Sequence, residues 1–386
     1  MIFRILEDQI REKSRADKQA AREADRRFMQ LALALGRRGQ GRTWPNPAVG
    51  AVVVKDGLII GRGWTQPGGR PHAEPEALRR AGEAARDATL YVTLEPCSHF
   101  GKSPPCADAI IAAGISRVVA AIEDPNPEVA GKGLAKLRAA GISVDVGLLA
   151  EEAAHDHAGH FRRIRDHRPH VILKLAVSAD DKIAASGHKP VSITGEAART
   201  RVHLLRAQCD AILVGIGTVL ADDPMLTCRL PGMAPRSPVR VVLDRSLRSP
   251  VGSRLVHSAR ETPLWVMTSE LAEAAAATRL GAAGAQVIRI AASDASGLDL
   301  SAVLHALAEK GITRLLVEGG SRVASSFVAH DLADEVWLLR GPAAIGDGGI
   351  AALDALPLSD ITQSPRLVSR GIEKVNEDEL EMFERR

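Results

Sequence analysis

The feature of this sequence that most constrains its fold is a regular alternation of short apolar runs with segments of helical periodicity. Apolar runs at 51–54 and 58–64 flank Lys55-Asp56-Gly57, and Asp-Gly between two such runs is typical of a β-hairpin. Helical segments at 74–86, 105–113 and 131–140 then alternate with strands at 89–94, 117–122 and 142–148. This order predicts a layered α/β sandwich rather than an all-α or all-β fold.

A second alternating series starts at 170–177 and runs to the C-terminus. Its clearest strands are predicted at 211–214, 239–243, 264–268, 286–290, 314–317 and 335–339. Between the two series, residues 150–168 carry four histidines and many charges, which predicts a polar helix that joins two domains. We therefore divide the 386 residues into a charged extension at 1–24, a first domain at 25–149 that opens with a helix, the linker helix at 150–168, and a second domain at 169–386.

Composition excludes several classes of protein. A net charge of +3 with 3% aromatic residues gives no support for a protein that binds nucleic acid or a flipped base. No apolar run approaches the roughly 18 residues of a membrane span, and the N-terminus lacks the apolar segment of a secretory signal. Four cysteines in a chain of this length suit a reducing compartment, where thiols more often hold metal than form disulfides. We expect a cytoplasmic protein.

Three short segments of the first domain together predict a metal site. They contain His72, Cys97 and Cys106, and each cysteine directly follows a proline. Taken singly, each residue is as well explained by an ordinary structural role, since buried cysteines usually act as small apolar residues. Together, one histidine and two cysteines supply three ligands and leave a fourth position for water, which is the pattern of a catalytic zinc site.

Glu74 lies two residues after the predicted histidine ligand, at the start of a predicted helix. A carboxylate there is placed to carry a proton from water at the metal to a leaving amine. The pattern follows the H-x-E … P-C-x-x-C signature of zinc deaminases. The two cysteines, however, are separated by eight residues rather than two, which disfavours a generic cytidine or tRNA deaminase.

The second domain contains neither a Walker P-loop nor a complete G-x-G-x-x-G motif. In RLLVEGGSRVASSF, a predicted strand ends near Glu318 and the pair Gly319-Gly320 precedes an amphipathic helix. Glycines and a helix N-terminus suit a phosphate, although an ordinary strand–helix turn explains the pattern equally well. After a second strand, Thr218, Asp222, Asp223 and Arg229 are expected near one strand end, where α/β proteins tend to bind ligands.

The segments EPCSHFGKSPPC, TWPNPAVGAVVVKDG and EDPNPEVAGKG resemble those of the bifunctional deaminase/reductase of riboflavin biosynthesis, and the resemblance extends over about residues 25–386. It implies an α/β protein with two parts. The first is a zinc-dependent pyrimidine deaminase domain with a cytidine-deaminase-like α/β/α sandwich. The second is an NADPH-dependent reductase domain with a dihydrofolate-reductase-like α/β fold.

The same resemblance assigns roles to residues of the first domain. His72, Cys97 and Cys106 occupy the zinc-ligand positions, and Glu74 occupies that of the catalytic proton donor. Three further residues fall on substrate-contacting positions, namely Asn46, His99 and Lys102. An ammonium group suits a phosphate, but Lys102 is equally well explained as a solvated loop residue.

In the second domain the resemblance implies two sets of contacts. The NADPH contacts are Ala176, Ser192, Thr218, Asp222, Gly320, Ser321, Arg322, Val323, Ala324, Ser325 and Ser326, of which the last seven form a loop. The contacts to the ribosyl-phosphate substrate are Lys174, Arg206, Leu226, Arg229 and Glu318. Guanidinium groups suit a phosphate, while the alternative is that the two arginines pair with nearby carboxylates.

The sequence departs from the family at two positions of the reductase domain. Asp181 replaces a glycine in the S-L-D-G-K turn, and aspartate tolerates positive φ better than most residues. Ser192 replaces a tryptophan, so a stacking contact near the nicotinamide is expected to be lost. Cys209 and Cys228 have no partner motif and are predicted to be structural.

We therefore expect an enzyme that deaminates a diaminopyrimidinone ribosylamino phosphate and then reduces the ribosyl group with NADPH. The expected partner is this small molecule, with no nucleic acid or membrane, in a homo-oligomer. The alternative is a zinc nucleobase deaminase with a degenerate C-terminal domain that senses a ligand.

Overall fold

A computed structural model of the chain describes residues 2–101, 103–186, 191–290 and 297–386, with side chains from residue 19 onward. The chain divides into two compact units, Met1–Arg165 and Asp166–Arg386. In the described ranges, no helix combines the length and the apolar character that crossing a membrane requires.

The first unit is built on a five-stranded mixed sheet. Its strands are β1 (Gly50–Lys55), β2 (Leu58–Trp64), β3 (Thr89–Val92), β4 (Arg117–Ala120) and β5 (Ser143–Val146). They lie in the order β2-β1-β3-β4-β5, and β1 runs antiparallel to β2 and β3, whereas β3, β4 and β5 are parallel. The helices are α1 (Ile2–Arg37), α2 (Ala73–Ala81), α3 (Cys106–Ala112), α4 (Lys132–Ala139), α5 (Ala150–Asp156) and α6 (Ala158–Asp166).

Helices cover both faces of this sheet. Ala51 and Val53 of β1 belong to one apolar cluster, with residues of α2, α3 and α4. Val52 and Val54 belong to a second cluster, with residues of α1 and α5. Because successive side chains of a strand point to opposite faces, the continuous apolar run in β1 serves both layers. The layered α/β fold predicted from the alternation is confirmed.

Helix α1 joins two segments that the sequence analysis treated separately. Residues 2–24, expected as a charged extension whose pattern also permits a helix, form one continuous helix of 36 residues with the predicted segment that follows them. Its C-terminal part packs on the sheet through buried Met29 and Leu33. Gly50 of β1 permits this close approach, since a Cβ there would lie 1.8 Å from the Ala32 carbonyl oxygen.

Residues 150–168 form two helices, α5 and α6, rather than the single polar helix expected. Two of the four histidines are buried in the first unit. His157 Nε2 lies 3.1 Å from Thr93 Oγ1, and His160 Nε2 lies 3.1 Å from Asp124 Oδ1. Burial lowers the pKa of His157 to about 3, so this side chain is neutral. The many charged residues of the segment predicted a solvent-exposed helix, but one side of it is packed against the first unit through His157 and His160.

The second unit contains a nine-stranded sheet. Its strands are β6 (His170–Val177), β8 (Ala211–Gly215), β9 (Val239–Leu243), β10 (Leu264–Ser269), β11 (Gln286–Ile290), β12 (Arg314–Val317), β13 (Glu335–Arg340), β15 (Leu367–Val375) and β16 (Asp378–Arg385), while β7 (Lys182–Ala184) and β14 (Ile350–Ala351) pair separately. The order is β11-β10-β9-β8-β12-β6-β13-β16-β15, and all pairs are parallel except β13–β16 and β16–β15. The helices are α7 (Glu196–Gln208), α8 (Ile216–Asp222), α9 (Arg254–His257), α10 (Ala274–Ala282), α11 (Leu300–Glu309), α12 (Ser321–Ala329) and α13 (Ser359–Thr362).

The parallel centre of this sheet determines where a ligand can bind. Strands β8, β12 and β6 are neighbours, and α8 and α12 begin close to the carboxyl ends of β8 and β12. The carboxyl ends of parallel strands meet at one edge of a sheet, where α/β proteins bind ligands. The polar segments around Thr218 and Gly320 are therefore brought to the same edge.

Candidate active sites

His72, Cys97 and Cys106 converge in the first unit. Their potential ligand atoms all lie within 4.8 Å of one another. His72 Nδ1 lies 3.3 Å from Cys106 Sγ and 3.8 Å from Cys97 Sγ. One nitrogen and two sulfur donors at this spacing fit a zinc ion with one further coordination position. The three residues thus form a candidate metal centre.

Each ligand is positioned by the end of an element. His72 is the residue before α2, Cys97 follows β3, and Cys106 is the first residue of α3. The backbone N–H of Cys106 donates to Cys97 Sγ at 3.4 Å. Hydrogen bonds from the Cys106 side chain, from His72 and from this N–H hold the pKa of Cys97 well below its ordinary value. A thiolate at Cys97 is the form that binds metal.

Glu74 is buried beside the metal centre, with 3% of its surface exposed. Loss of hydration raises the pKa of its carboxyl to about 7, while the neighbouring His72 acts in the opposite direction. Its carboxylate also interacts with the side chain of Cys106. A carboxyl group that titrates near neutral pH, held against the ligands, is suited to accept and return a proton.

Glu95 is a positioning residue that the sequence analysis did not identify. Its buried carboxylate accepts backbone N–H groups of Asp124, Gly131, Gly133 and Leu134 at 2.9 to 3.3 Å. These bonds tie the start of α4 to the segment that leads into Cys97. Glu95 stands in the quoted segment EPC, but its hydrogen-bond partners are backbone N–H groups, which no pattern of residue types reveals.

The predicted substrate contacts of this unit lie around the same segments. Asn46 Nδ2 donates to the carbonyl oxygen of Gly69 at 3.1 Å, three residues before His72. His99 is exposed in the segment between the two cysteines. Lys102 lies outside the described residues.

In the second unit, three of the predicted substrate contacts form a charged cluster that is largely shielded from solvent. Arg206 Nε and Nη2 donate to the two carboxylate oxygens of Glu318 at 2.7 and 2.9 Å, and Nη1 donates to the Thr227 carbonyl oxygen at 3.2 Å. Burial lowers the pKa of Lys174, which Glu318 partly opposes. Burial raises the pKa of Glu318, but the guanidinium of Arg206 and the ammonium of Lys174 hold it below its ordinary value.

This pairing bears on the two interpretations of Arg206. The alternative that the arginine pairs with a carboxylate is the arrangement present. Two of the five guanidinium N–H donors bond Glu318 and a third bonds Thr227, so two stay available to a phosphate. Arg229 is exposed, and its backbone N–H donates to His203 Nδ1 at 3.3 Å. Leu226 is buried with φ of 53°.

Several predicted NADPH contacts meet at the start of α12. Residues 321–326, implied as a loop by the resemblance, form the first turns of this helix instead, with Gly320 as its N-cap. A Cβ on Gly320 would lie 3.5 Å from Thr218 Oγ1 and would meet nothing closer. A Cβ on Gly319 would lie 2.6 Å from Val323 Cβ. Gly319 therefore serves packing, whereas Gly320 borders open space at a helix N-terminus that suits a phosphate.

Side chains of α12 differ widely in exposure. Arg322 projects outward with its side chain 91% exposed, and its Nε lies 3.4 Å from Asp354. Ala324 and Ser325 are buried, and Ser325 Oγ has no hydrogen-bond partner among the described residues.

The remaining cofactor positions are more dispersed. Ala176 is half-buried in β6, and Asp222 is exposed at the end of α8. Ser192 accepts a hydrogen bond from Arg199 Nη1 at 3.1 Å and lines a cavity of about 490 Å³. Of the predicted NADPH contacts, Ser192 alone is among the described residues that line this cavity.

One of the two departures from the family pattern, Asp181, is accommodated by the local backbone. Asp181 adopts φ of 61°, as expected for an aspartate in a glycine position, and pairs with Arg340. Asp180 supports the same turn, accepting the N–H groups of Ile345 and Gly346 at 2.9 and 2.8 Å. Cys209 and Cys228 are buried free thiols, in line with a structural role.

Each of the two units is similar to a known protein family. Residues 22–122 match the cytidine and deoxycytidylate deaminase zinc-binding region, and residues 169–379 match the RibD C-terminal domain. The chain is 42% identical over 364 residues to the riboflavin biosynthesis protein RibD of Aquifex aeolicus, covering 94% of this chain and 99% of the relative. It is 40% identical over 366 residues to RibD of Escherichia coli, covering 92% and 97%.

Two solved structures are similar over nearly the whole chain. RibD of Acinetobacter baumannii has a TM-score of 0.84 at 35% identity, covering 95% of this chain and 99% of that one. The diaminohydroxyphosphoribosylaminopyrimidine deaminase/5-amino-6-(5-phosphoribosylamino)uracil reductase of Thermotoga maritima has a TM-score of 0.82 at 37% identity, covering 95% and 100%. The predicted fold class of both units is confirmed.

These matches define the class of protein as a bifunctional enzyme, a hydrolytic deaminase joined to a reductase. The chain belongs to the RibD family of riboflavin biosynthesis, whose cofactors are Zn²⁺ and NADPH. The alternative of a nucleobase deaminase with a ligand-sensing second domain is not favoured.

Proposed function

We propose that this chain catalyses the two consecutive reactions named for its Thermotoga relative. The first unit removes the amine of 2,5-diamino-6-(ribosylamino)pyrimidin-4-one 5′-phosphate. The second unit reduces the ribosyl group of the product and yields 5-amino-6-(ribitylamino)uracil 5′-phosphate. The observation that carries the proposal is the convergence of His72, Cys97 and Cys106 within 4.8 Å, with Glu74 buried beside them.

In the deaminase site, His72, Cys97 and Cys106 hold the metal, and Glu74 moves the proton. A zinc ion held there would lower the pKa of a water molecule, whose oxygen would bond to the pyrimidine carbon as the C–N bond breaks. Glu74 would accept a proton from this water and deliver it to the departing amine, which leaves as ammonia. Asn46 contacts the pyrimidine, and His99 and Lys102 are proposed as further substrate contacts.

In the reductase site, bound NADPH would supply the hydride that reduces the ribosyl carbon bearing the amine. The N-terminus of α12 receives the phosphates of the cofactor, with Thr218 opposite Gly320. Lys174, Arg206 and Glu318 orient the ribosyl phosphate. The donors that Arg206 does not use on Glu318 or Thr227 would bind the phosphate, and Arg229 would add a second guanidinium.

The same proposal extends to the other assigned contacts and to organisation. Ala176, Ser192, Asp222 and residues 320–326 contact the cofactor, and Leu226 contacts the substrate. Residues 25–149 form the deaminase domain and 169–386 the reductase domain. We also propose a homo-oligomer in the cytoplasm, and the oligomer is checked by light scattering on the purified protein.

The two reactions are tested with the full-length protein and the diaminopyrimidinone substrate. We expect one ammonia released and one NADPH oxidised per substrate. Cys106→Ser should abolish both with this substrate and retain NADPH oxidation with the deaminated substrate. NADPH oxidation by Cys106→Ser on the diamino substrate, without ammonia release, would contradict the proposed order.

A further inference from the structure

Arg70 lies in the segment that leads into α2, and neither the motifs nor the resemblance assigns it a role. It lies two residues before His72, so the two Cα atoms are at most about 7 Å apart. The preceding residue, Gly69, is fixed by the hydrogen bond from Asn46 Nδ2 to its carbonyl oxygen at 3.1 Å. Arg70 therefore lies in a segment that carries one metal ligand and contacts a predicted substrate residue.

The guanidinium of Arg70 faces the chain between the two cysteine ligands. It donates to Ser103 Oγ. A Cβ placed on Gly101 would lie 3.5 Å from Arg70 Nη2 and 3.9 Å from His99 Nε2. Arg70 and His99 thus approach the same point of this segment, from two different parts of the chain.

Among the residues that the structure describes, no carboxylate forms an ion pair with Arg70, and its one hydrogen bond is to the neutral hydroxyl of Ser103. Two nearby arginines, Arg79 and Arg80, both pair with Glu76. The half-buried guanidinium of Arg70 uses one of its five N–H donors on a hydroxyl. It therefore keeps its charge and enough donors to bind an anion.

We propose that Arg70 binds the phosphate of the ribosyl phosphate substrate in the deaminase site. The inference rests on the function proposed above, in which part of the pyrimidine ring, the 6-amino nitrogen and the ribose separate the phosphate from the reacting carbon. With the amine-bearing carbon beside Glu74, we place the phosphate beside Arg70, near Gly101 and His99. A planar guanidinium can donate two parallel hydrogen bonds to such a group, which an ammonium cannot.

The test compares the substrate with its dephosphorylated form, using ammonia release by the full-length protein. Arg70→Ala should raise KM for the phosphorylated substrate about 10- to 100-fold, as expected for a lost charge-assisted bond, and should leave KM for the dephosphorylated form unchanged. Arg70→Lys should recover part of the loss. The matched control is Arg86→Ala, an exposed arginine at the other end of β3, for which both KM values should stay unchanged.

A second variant separates phosphate binding from a merely structural role. Ser103→Ala removes the hydrogen bond but keeps the guanidinium, so its KM for the phosphorylated substrate should rise far less than that of Arg70→Ala. Inorganic phosphate should inhibit the wild type competitively and should inhibit Arg70→Ala more weakly.

Three results would overturn the inference. They are an equal rise of KM for both substrates in Arg70→Ala, a Ser103→Ala variant that reproduces the Arg70→Ala effect, and phosphate inhibition that is unchanged in Arg70→Ala. Zinc content and thermal unfolding of each variant establish that the fold is retained. Failure of the wild type to deaminate either substrate would overturn the proposed function itself, and the inference with it.

Discussion

The two glycines at the start of α12 have opposite surroundings, and this difference predicts opposite effects of substitution. Gly320 has φ of −61°, which any residue adopts, and a Cβ there would meet only Thr218 Oγ1, at the ordinary contact distance of 3.5 Å. Gly319 leaves no such room, because a Cβ there would lie 2.6 Å from Val323 Cβ. Gly320→Ala therefore fits the folded protein, whereas Gly319→Ala forces the helix to shift.

The magnitude follows from what the added methyl group displaces. In Gly320→Ala it enters the space in which a phosphate would approach the N–H groups of α12. Loss of one hydrogen bond to a charged group is worth about 1.5–3 kcal/mol, so NADPH should bind about 10- to 100-fold more weakly. The larger side chain of Gly320→Val should weaken NADPH binding further. The free energy of unfolding of Gly320→Ala should change by no more than about 0.5 kcal/mol.

Calorimetric titration of NADPH into the full-length variants measures this effect. Thermal unfolding should show a lower Tm for Gly319→Ala than for Gly320→Ala, and zinc content and ammonia release should be unaffected in both. Unchanged NADPH affinity in Gly320→Ala and Gly320→Val would mean that the glycine pair is only a turn, and the cofactor would have to be placed elsewhere.

Two further substitutions test one residue in each site. Glu74→Gln should retain zinc and lose about 10²- to 10⁴-fold in deaminase turnover, because the amide cannot carry a proton. Near-normal ammonia release would remove Glu74 from its role. Arg206→Ala should raise the reductase KM with little change in NADPH affinity, and should cost about 3 kcal/mol of stability because Glu318 loses its buried partner. The double variant Arg206→Ala, Glu318→Gln should regain part of that stability. A Tm of Arg206→Ala equal to that of the wild type would contradict the claim that the Arg206–Glu318 pair stabilises the fold.

The sequence was informative for the core strands and less so for the surface. The bounds of β6, β9 and β12 were predicted correctly, because a buried parallel strand is a continuous apolar run. The C-terminal hairpin of β15 and β16 was missed, since β15 is an edge strand that is largely exposed and charged, and its pattern is that of a loop. The full length of α1 was within reach, because residues 2–35 contain neither glycine nor proline.

The candidate sites show the same limit. The metal ligands were recognisable because each lies at the end of an element beside a proline. The pairing of Arg206 with Glu318 was not, since the residues are 112 positions apart and meet only through the arrangement of the sheet. Glu95 and Arg70 were missed for a related reason. Their partners are backbone N–H groups and one loop hydroxyl, and these leave no residue-type pattern in the sequence.

The central claim is that His72, Cys97 and Cys106 together hold one catalytic zinc ion. Metal analysis of the purified protein, of Cys97→Ser and of Cys106→Ser tests this most directly, with Cys228→Ser as a matched control. We predict about one zinc per chain in the wild type and the control, with zinc and ammonia release both lost in the other two variants. Full zinc content in Cys97→Ser and Cys106→Ser would contradict the account.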